Sequence, residues 1–201
     1  MNFPAKTIIF CKSPTFAWLL GVFPVVLVGW HIGTGQLGPD PAKELVNELG
    51  SWAIRWLLLT LTMTPLRWWT QQGFWTQWRR PLGVTAFFYS VLHLLAYIVF
   101  MLGADWGHLG EEIRKRPYIL VGFTAFLLLL PLALTSTKAS QRRLKRRWLA
   151  IHQLIYPAAA LALLHGSWVQ KLSIAGFWPY LLVGLLLGLL RIFKKLQRFC
   201  H

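Results

Sequence analysis

Apolar residues along this chain come in runs long enough to cross a membrane, and the polar residues between the runs are sorted by charge. Six apolar stretches are read at 14–32, 50–66, 82–102, 118–134, 148–169 and 177–193. A helix needs about 20 apolar residues to cross a hydrocarbon core about 30 Å thick, so the pattern predicts an all-α membrane protein with six transmembrane helices. Gly33, Gly38, Pro39, Pro65, Pro81 and Pro117 mark edges of the runs. Pro81 and Pro117 are placed at first helical turns, where a missing N–H costs no hydrogen bond. No internal repeat stands out. No gap between runs is long enough for a separate nucleotide or flavin domain, so 1–201 is read as a single domain.

Composition agrees. The 201 residues are 56% hydrophobic and 13% charged, with a mean hydropathy of +0.50, whereas a soluble domain carries about 25% charge. The formal net charge of +15 does not indicate nucleic acid, because the basic residues flank apolar runs and so mark orientation. All six acids, Asp40, Glu44, Glu48, Asp105, Glu111 and Glu112, fall in two segments on one side. The alternate segments carry Lys6, Lys12, Arg67, Arg79, Arg80, the basic cluster from Lys138 to Arg147, and Arg191, Lys194, Lys195 and Arg198, with no acid among them. Short Lys/Arg-rich loops stay on the cytoplasmic side, so both termini are predicted to be cytoplasmic. The first run lacks a small-residue cleavage site and is read as a retained helix, not a signal peptide. Cys11 and Cys200 lie near cytoplasmic helix ends, where neither a disulfide nor a metal site is expected. Most of the twelve Trp lie near run ends, as an interfacial belt requires.

Three histidines are left inside the runs: His93 in the third, His152 and His165 in the fifth. An intramembrane histidine is costly without partners for its ring nitrogens and is a functional candidate by default. No Asp or Glu lies in any run, which argues against a carboxylate proton relay. Zinc wants four ligands, whereas haem iron takes one or two axial imidazoles and the porphyrin supplies the rest. Haem b is therefore the expected cofactor, with Phe87, Phe88, Leu92, Leu161 and Leu164 as walls and Arg55 or Lys171 as cations for the propionates. No Cys-x-x-Cys-His occurs, which excludes covalent attachment. His152 and His165 stand about 20 Å apart along an ideal helix and about 140° apart in phase. One haem and two haems both remain open. His31, His108 and His201 are read as solvated.

Trp148-x-x-x-His152-x-x-x-Tyr156, then His165, with Leu92-His93-Leu94 two runs earlier, resembles the ferric-reductase-like transmembrane family. Gly38-Pro39-Asp40-Pro41, Arg79-Arg80-Pro81-Leu82-Gly83, Arg116-Pro117-Tyr118 and Leu134-Thr135-Ser136-Thr137 are similar to the haem-binding membrane subunits of bacterial methionine-sulfoxide reductase systems. The resemblance implies six helices bundled around haem b in the bacterial inner membrane. It implies electron transfer to a periplasmic molybdopterin enzyme, MsrP, that repairs methionine sulfoxide. The implied donor is the quinone pool or a cytoplasmic flavin reductase, and FMN is associated with the family. Relatives in the NADPH oxidases use two histidines on each of the third and fifth spans. Here His93 matches the outer third-span ligand, His152 and His165 match the fifth-span pair, and Arg79 or Arg80 stands at the inner third-span position. That leaves His93 with His165 as the principal pair. The alternative function is a self-contained haem quinol oxidase or ferric reductase acting at the outer face.

Overall fold

Polar caps and prolines set where the first helices begin. In the computed structural model, which describes residues 13–170 and 174–197, the Ser13 hydroxyl accepts the Phe16 N–H at the start of α1 (Pro14–Gly33). The Asp40 carboxylate accepts the Lys43 N–H at 3.2 Å at the start of α2 (Pro41–Thr70). Each cap is followed by a proline at the first helical position, where its missing N–H is not needed. α3 (Phe74–Ala96) runs on into a π-helical turn, Tyr97–Met101. α4 (Leu109–Lys115) meets α5 (Tyr118–Leu134) at 107°, with Pro117 at the corner. α6 (Lys138–Leu144), α7 (Arg146–His152), α8 (Ile155–Val169) and α9 (Ile174–Gln197) complete the order, and no strand occurs among the described residues. Lys6, Cys11, Lys12, Lys171, Arg198, Cys200 and His201 lie outside the described residues.

Four helical stretches are long and apolar enough to span a membrane: Pro14–Gly33, Phe74–Met101, Arg146–Val169 and Gly176–Gln197; α4 with α5 makes a fifth if the bent pair counts as one. The run at 50–66 is helical but forms part of the 30-residue α2, whose acidic first turn and Arg55 dilute its hydropathy. Two expectations about helix ends change. Pro81 does not open a helix; it is buried inside α3, which already begins at Phe74. An aromatic cluster holds that early turn, with Phe74 and Trp75 ring centres 4.3 Å apart and Trp75 and Trp78 5.8 Å apart. The run at 148–169 is two helices, broken at Gln153 and Leu154. The break precedes Pro157, which has no N–H to give the Gln153 carbonyl. That carbonyl accepts the Tyr156 N–H instead, at 3.1 Å.

Four helices close a ring in which α2 packs on α3, α3 on α5, α5 on α8, and α8 on α2. α3 and α8 therefore sit on one diagonal and α2 and α5 on the other. α1 lies outside on α3, and α9 fills the groove between α2 and α8. Small residues set these approaches, as expected where lipid tails remove the hydrophobic drive between helices. A Cβ on Gly21 would come within 2.8 Å of the Thr85 side chain, and the Tyr89 hydroxyl donates to the Gly21 carbonyl at 2.9 Å. A Cβ on Gly184 would collide with the Leu163 side chain, so this glycine lets α9 lie close on α8. The core contains Leu49, Leu57, Met63, Leu82, Ala86, Tyr89 and Ala158, while many leucines of α9 face outward.

Candidate functional site

His93 and His165 come from the two diagonal helices and face each other across the bundle, with ring centres 6.1 Å apart and planes at 78°. His93 Nδ1 lies 2.8 Å from the Val46 carbonyl of α2, and His165 Nδ1 lies 2.8 Å from the Tyr118 carbonyl of α5. A carbonyl oxygen only accepts, so each Nδ1 carries the proton. Each Nε2 then keeps its lone pair on the far side of the ring. Fixing one ring nitrogen on a carbonyl is how proteins select the tautomer that leaves the other free to bind a metal.

Glycine makes both approaches feasible. A Cβ on Gly50 would stand 2.9 Å from His93 Nδ1, and one on Gly122 would stand 2.7 Å from His165 Nδ1 and Cε1. Neither glycine is marked by composition or by helix periodicity. The signal that could have found them is the spacing, since both histidines lie 47 residues beyond the carbonyl they bond.

The spacing of the rings tests what this pair can hold. An imidazole bound through Nε2 at a first-row metal–nitrogen distance of about 2 Å places its ring centre about 3 Å from the metal. Two imidazoles on opposite sides of one ion therefore have centres about 6 Å apart, the separation found here. Among the described residues no third His, Cys, Asp or Glu joins them. The donor set is two imidazoles, too few for structural zinc and the number that haem iron needs. Phe87 stacks on Phe126 of α5 with centres 5.6 Å apart, one turn or more below His93, so Phe126 joins the aromatic residues near the pair although nothing in the sequence marked it. Leu92 and Leu161 are half-buried, whereas Phe88 and Leu164 are exposed.

His152 does not join this pair. Its Nδ1 lies 3.1 Å from the Trp148 carbonyl on its own helix, and its ring stacks on Trp148 at 3.9 Å. Trp148 is itself anchored, with its indole N–H donating to the Thr135 carbonyl at 3.0 Å. Arg79 is close enough to interact electrostatically with His152, Tyr156, Arg67 and Arg191. Arg191, read from sequence as a tail residue, turns inward. Its guanidinium donates to the Leu187 carbonyl at 3.0 Å and to the Leu61 carbonyl of α2, and it lies over the Tyr156 ring at 5.4 Å. Its Nε is buried with no hydrogen-bond partner among the described residues. All six acids are in α2, at its N-cap, in α4 or in the turn before α4, away from this cluster. Arg80 is exposed. Arg55 is held by Tyr180, whose hydroxyl accepts its Nε–H at 2.9 Å, and by Trp52, whose ring it covers at 4.5 Å. His31 is not simply solvated, because it pairs with Glu48 at 3.4 Å and ties α1 to α2.

Two comparisons bear on this arrangement. The family described as "Ferric reductase like transmembrane component" matches residues 49–163, a span that includes His93 and His152 and ends just before His165. Curated relatives cover nearly the whole chain. A protein of Xanthomonas oryzae pv. oryzae (strain MAFF 311018) is 48% identical over 193 residues, covering 92% of this chain and 88% of its own length. One of Xanthomonas axonopodis pv. citri (strain 306) has the same identity and coverage. One of Xanthomonas campestris pv. campestris (strain 8004) is 46% identical over 199 residues, covering 95% and 89%. Each is named "Protein-methionine-sulfoxide reductase heme-binding subunit MsrQ". With one match over more than half of the chain and the others over nearly all of it, the chain belongs to the MsrQ family of ferric-reductase-like transmembrane proteins.

Proposed function

We propose that this chain carries electrons across the bacterial inner membrane through haem b. The donor is the quinone pool or a cytoplasmic flavin reductase, and the acceptor is a periplasmic molybdopterin methionine-sulfoxide reductase, MsrP. The observation that carries the reading is the facing pair His93 and His165, 6.1 Å apart, each with Nδ1 committed to a backbone carbonyl. Haem bound between them supplies reversible one-electron exchange between ferric and ferrous iron. The chain's own work is to present two neutral imidazoles at fixed positions, to keep water away with the Phe87 and Phe126 stack, and to balance the propionates. Arg55 serves that last role, since Tyr180 engages only its Nε.

In this reading α1, α2, α3, α5, the α7–α8 pair and α9 are six crossings. The end bearing Arg67, Arg79 and Arg191 is cytoplasmic by the excess of cations there. His152, Trp148 and Tyr156 at that end form the entry point for electrons. The arginines around them suit the phosphate of FMN or the propionates of a second haem, because guanidinium groups pair well with such anions. We expect His152→Ala to keep the principal haem spectrum and to slow reduction by the cytoplasmic donor. Full cofactor content together with an unchanged reduction rate would make His152 a packing residue.

The direct test is absorption of the purified protein. A Soret band that shifts on dithionite addition, with one or two haems per chain by pyridine haemochrome, is expected. A folded protein without a Soret band would dispose of the haem reading.

A further inference from the structure

The surroundings of the two histidines repeat each other at three points: the carbonyl, the glycine and the ring. A 72-residue shift, from Val46 to Tyr118, also carries Gly50 onto Gly122 and His93 onto His165. In both halves the carbonyl lies 2.8 Å from Nδ1, and in both the glycine four residues further along the helix faces the same ring. The helix pairs correspond too, since α2 packs on α3 as α5 packs on α8. A side chain in an α-helix leans over the turn on its N-terminal side, so the residue at position i+4 covers the carbonyl of residue i. Glycine at that position uncovers it. Glycine is also a poor helix former, so its presence at both equivalent points needs a local reason, and the ring contact supplies one.

We propose that Gly50 and Gly122 are positioning residues for the two axial histidines, each opening one helix carbonyl so that it can accept the Nδ1–H of its ring. The proposal rests on the haem reading above. An imidazole that donates Nδ1–H to a carbonyl is a stronger ligand through Nε2 and favours ferric iron. Gly50→Ala and Gly122→Ala should each push the ring off its carbonyl. The expected result in each is an upward shift of the haem midpoint potential, together with replacement of the wild-type low-spin ferric EPR signal. Gly21→Ala, which crowds Thr85, and Gly188→Ala, which has open space, serve as controls that leave potential and EPR unchanged.

A second measurement avoids reliance on crowded variants. In His93→Gly and His165→Gly protein supplemented with free ligand, imidazole should restore the low-spin spectrum at lower concentration than 1-methylimidazole, which has no N–H to give the carbonyl. Wild-type potential and EPR in both alanine variants, or equal rescue by the two ligands, would overturn the proposal. The haem reading fails separately, if the folded wild-type protein has no Soret band, and the ligand pairing fails if His93→Ala or His165→Ala keeps the wild-type low-spin spectrum.

Discussion

His93→Ala and His165→Ala should each abolish the low-spin spectrum of the principal haem. The two rings stand on diagonal helices, α3 and α8, which do not otherwise pack closely among the described residues. Among the described residues no neighbouring His or Cys is there to take over. Losing one imidazole leaves iron five-coordinate and high-spin, or releases the cofactor altogether. Because each ring is fixed through its own carbonyl, the two variants should behave alike and not in a graded way. Spectra of the ferric and dithionite-reduced forms check this, with haem content measured alongside. A normal low-spin haem in either variant refutes the pairing.

Reduced protein should be reoxidised quickly by the purified periplasmic reductase with its methionine-sulfoxide substrate, and at least an order of magnitude more slowly by free methionine sulfoxide. The acid-bearing end explains why. Its segments are short, and much of their charge is spent internally. Lys115 pairs with Glu111 at 2.7 Å and Arg116 with Glu112 at 3.1 Å. The His108 ring, with the Gly107 N–H, holds the Asp105 carboxyl below the ordinary carboxylate range. Among the described residues these pieces build no enclosed chamber for an oxidised protein substrate. Trp106, Trp168 and Arg114 are exposed there and offer a docking surface to a separate protein. Charges of opposite sign on the partner would speed the encounter more than they tighten it, so the fast rate should fall with added salt. Equal rates in the two assays would mean that the chain carries its own terminal site. The self-contained quinol oxidase or ferric reductase would then be the better reading.

The sequence by itself determined the helical class and the position of each apolar run, and it singled out three histidines, two of which the fold brings together. Hydropathy over 20 residues is a local property, and so is the exclusion of acids from those runs. Local sequence did not determine helix starts where neighbours intervene: α3 begins at Phe74 because Phe74, Trp75 and Trp78 pack on one another, and Pro81 is carried inside it. Nor did spacing decide the pairing of His93, since His152 and His165 stand about 20 Å and about 140° apart on an ideal helix and only the family resemblance singled out His165. The ring of α2, α3, α5 and α8 brings the His93 ring within 6.1 Å of His165 across its diagonal, while His152 stacks on Trp148. Val46, Tyr118, Gly50 and Gly122 were invisible for the same reason. A backbone carbonyl has no side-chain signature, and a helical glycine acquires meaning only when another helix brings a ring against it.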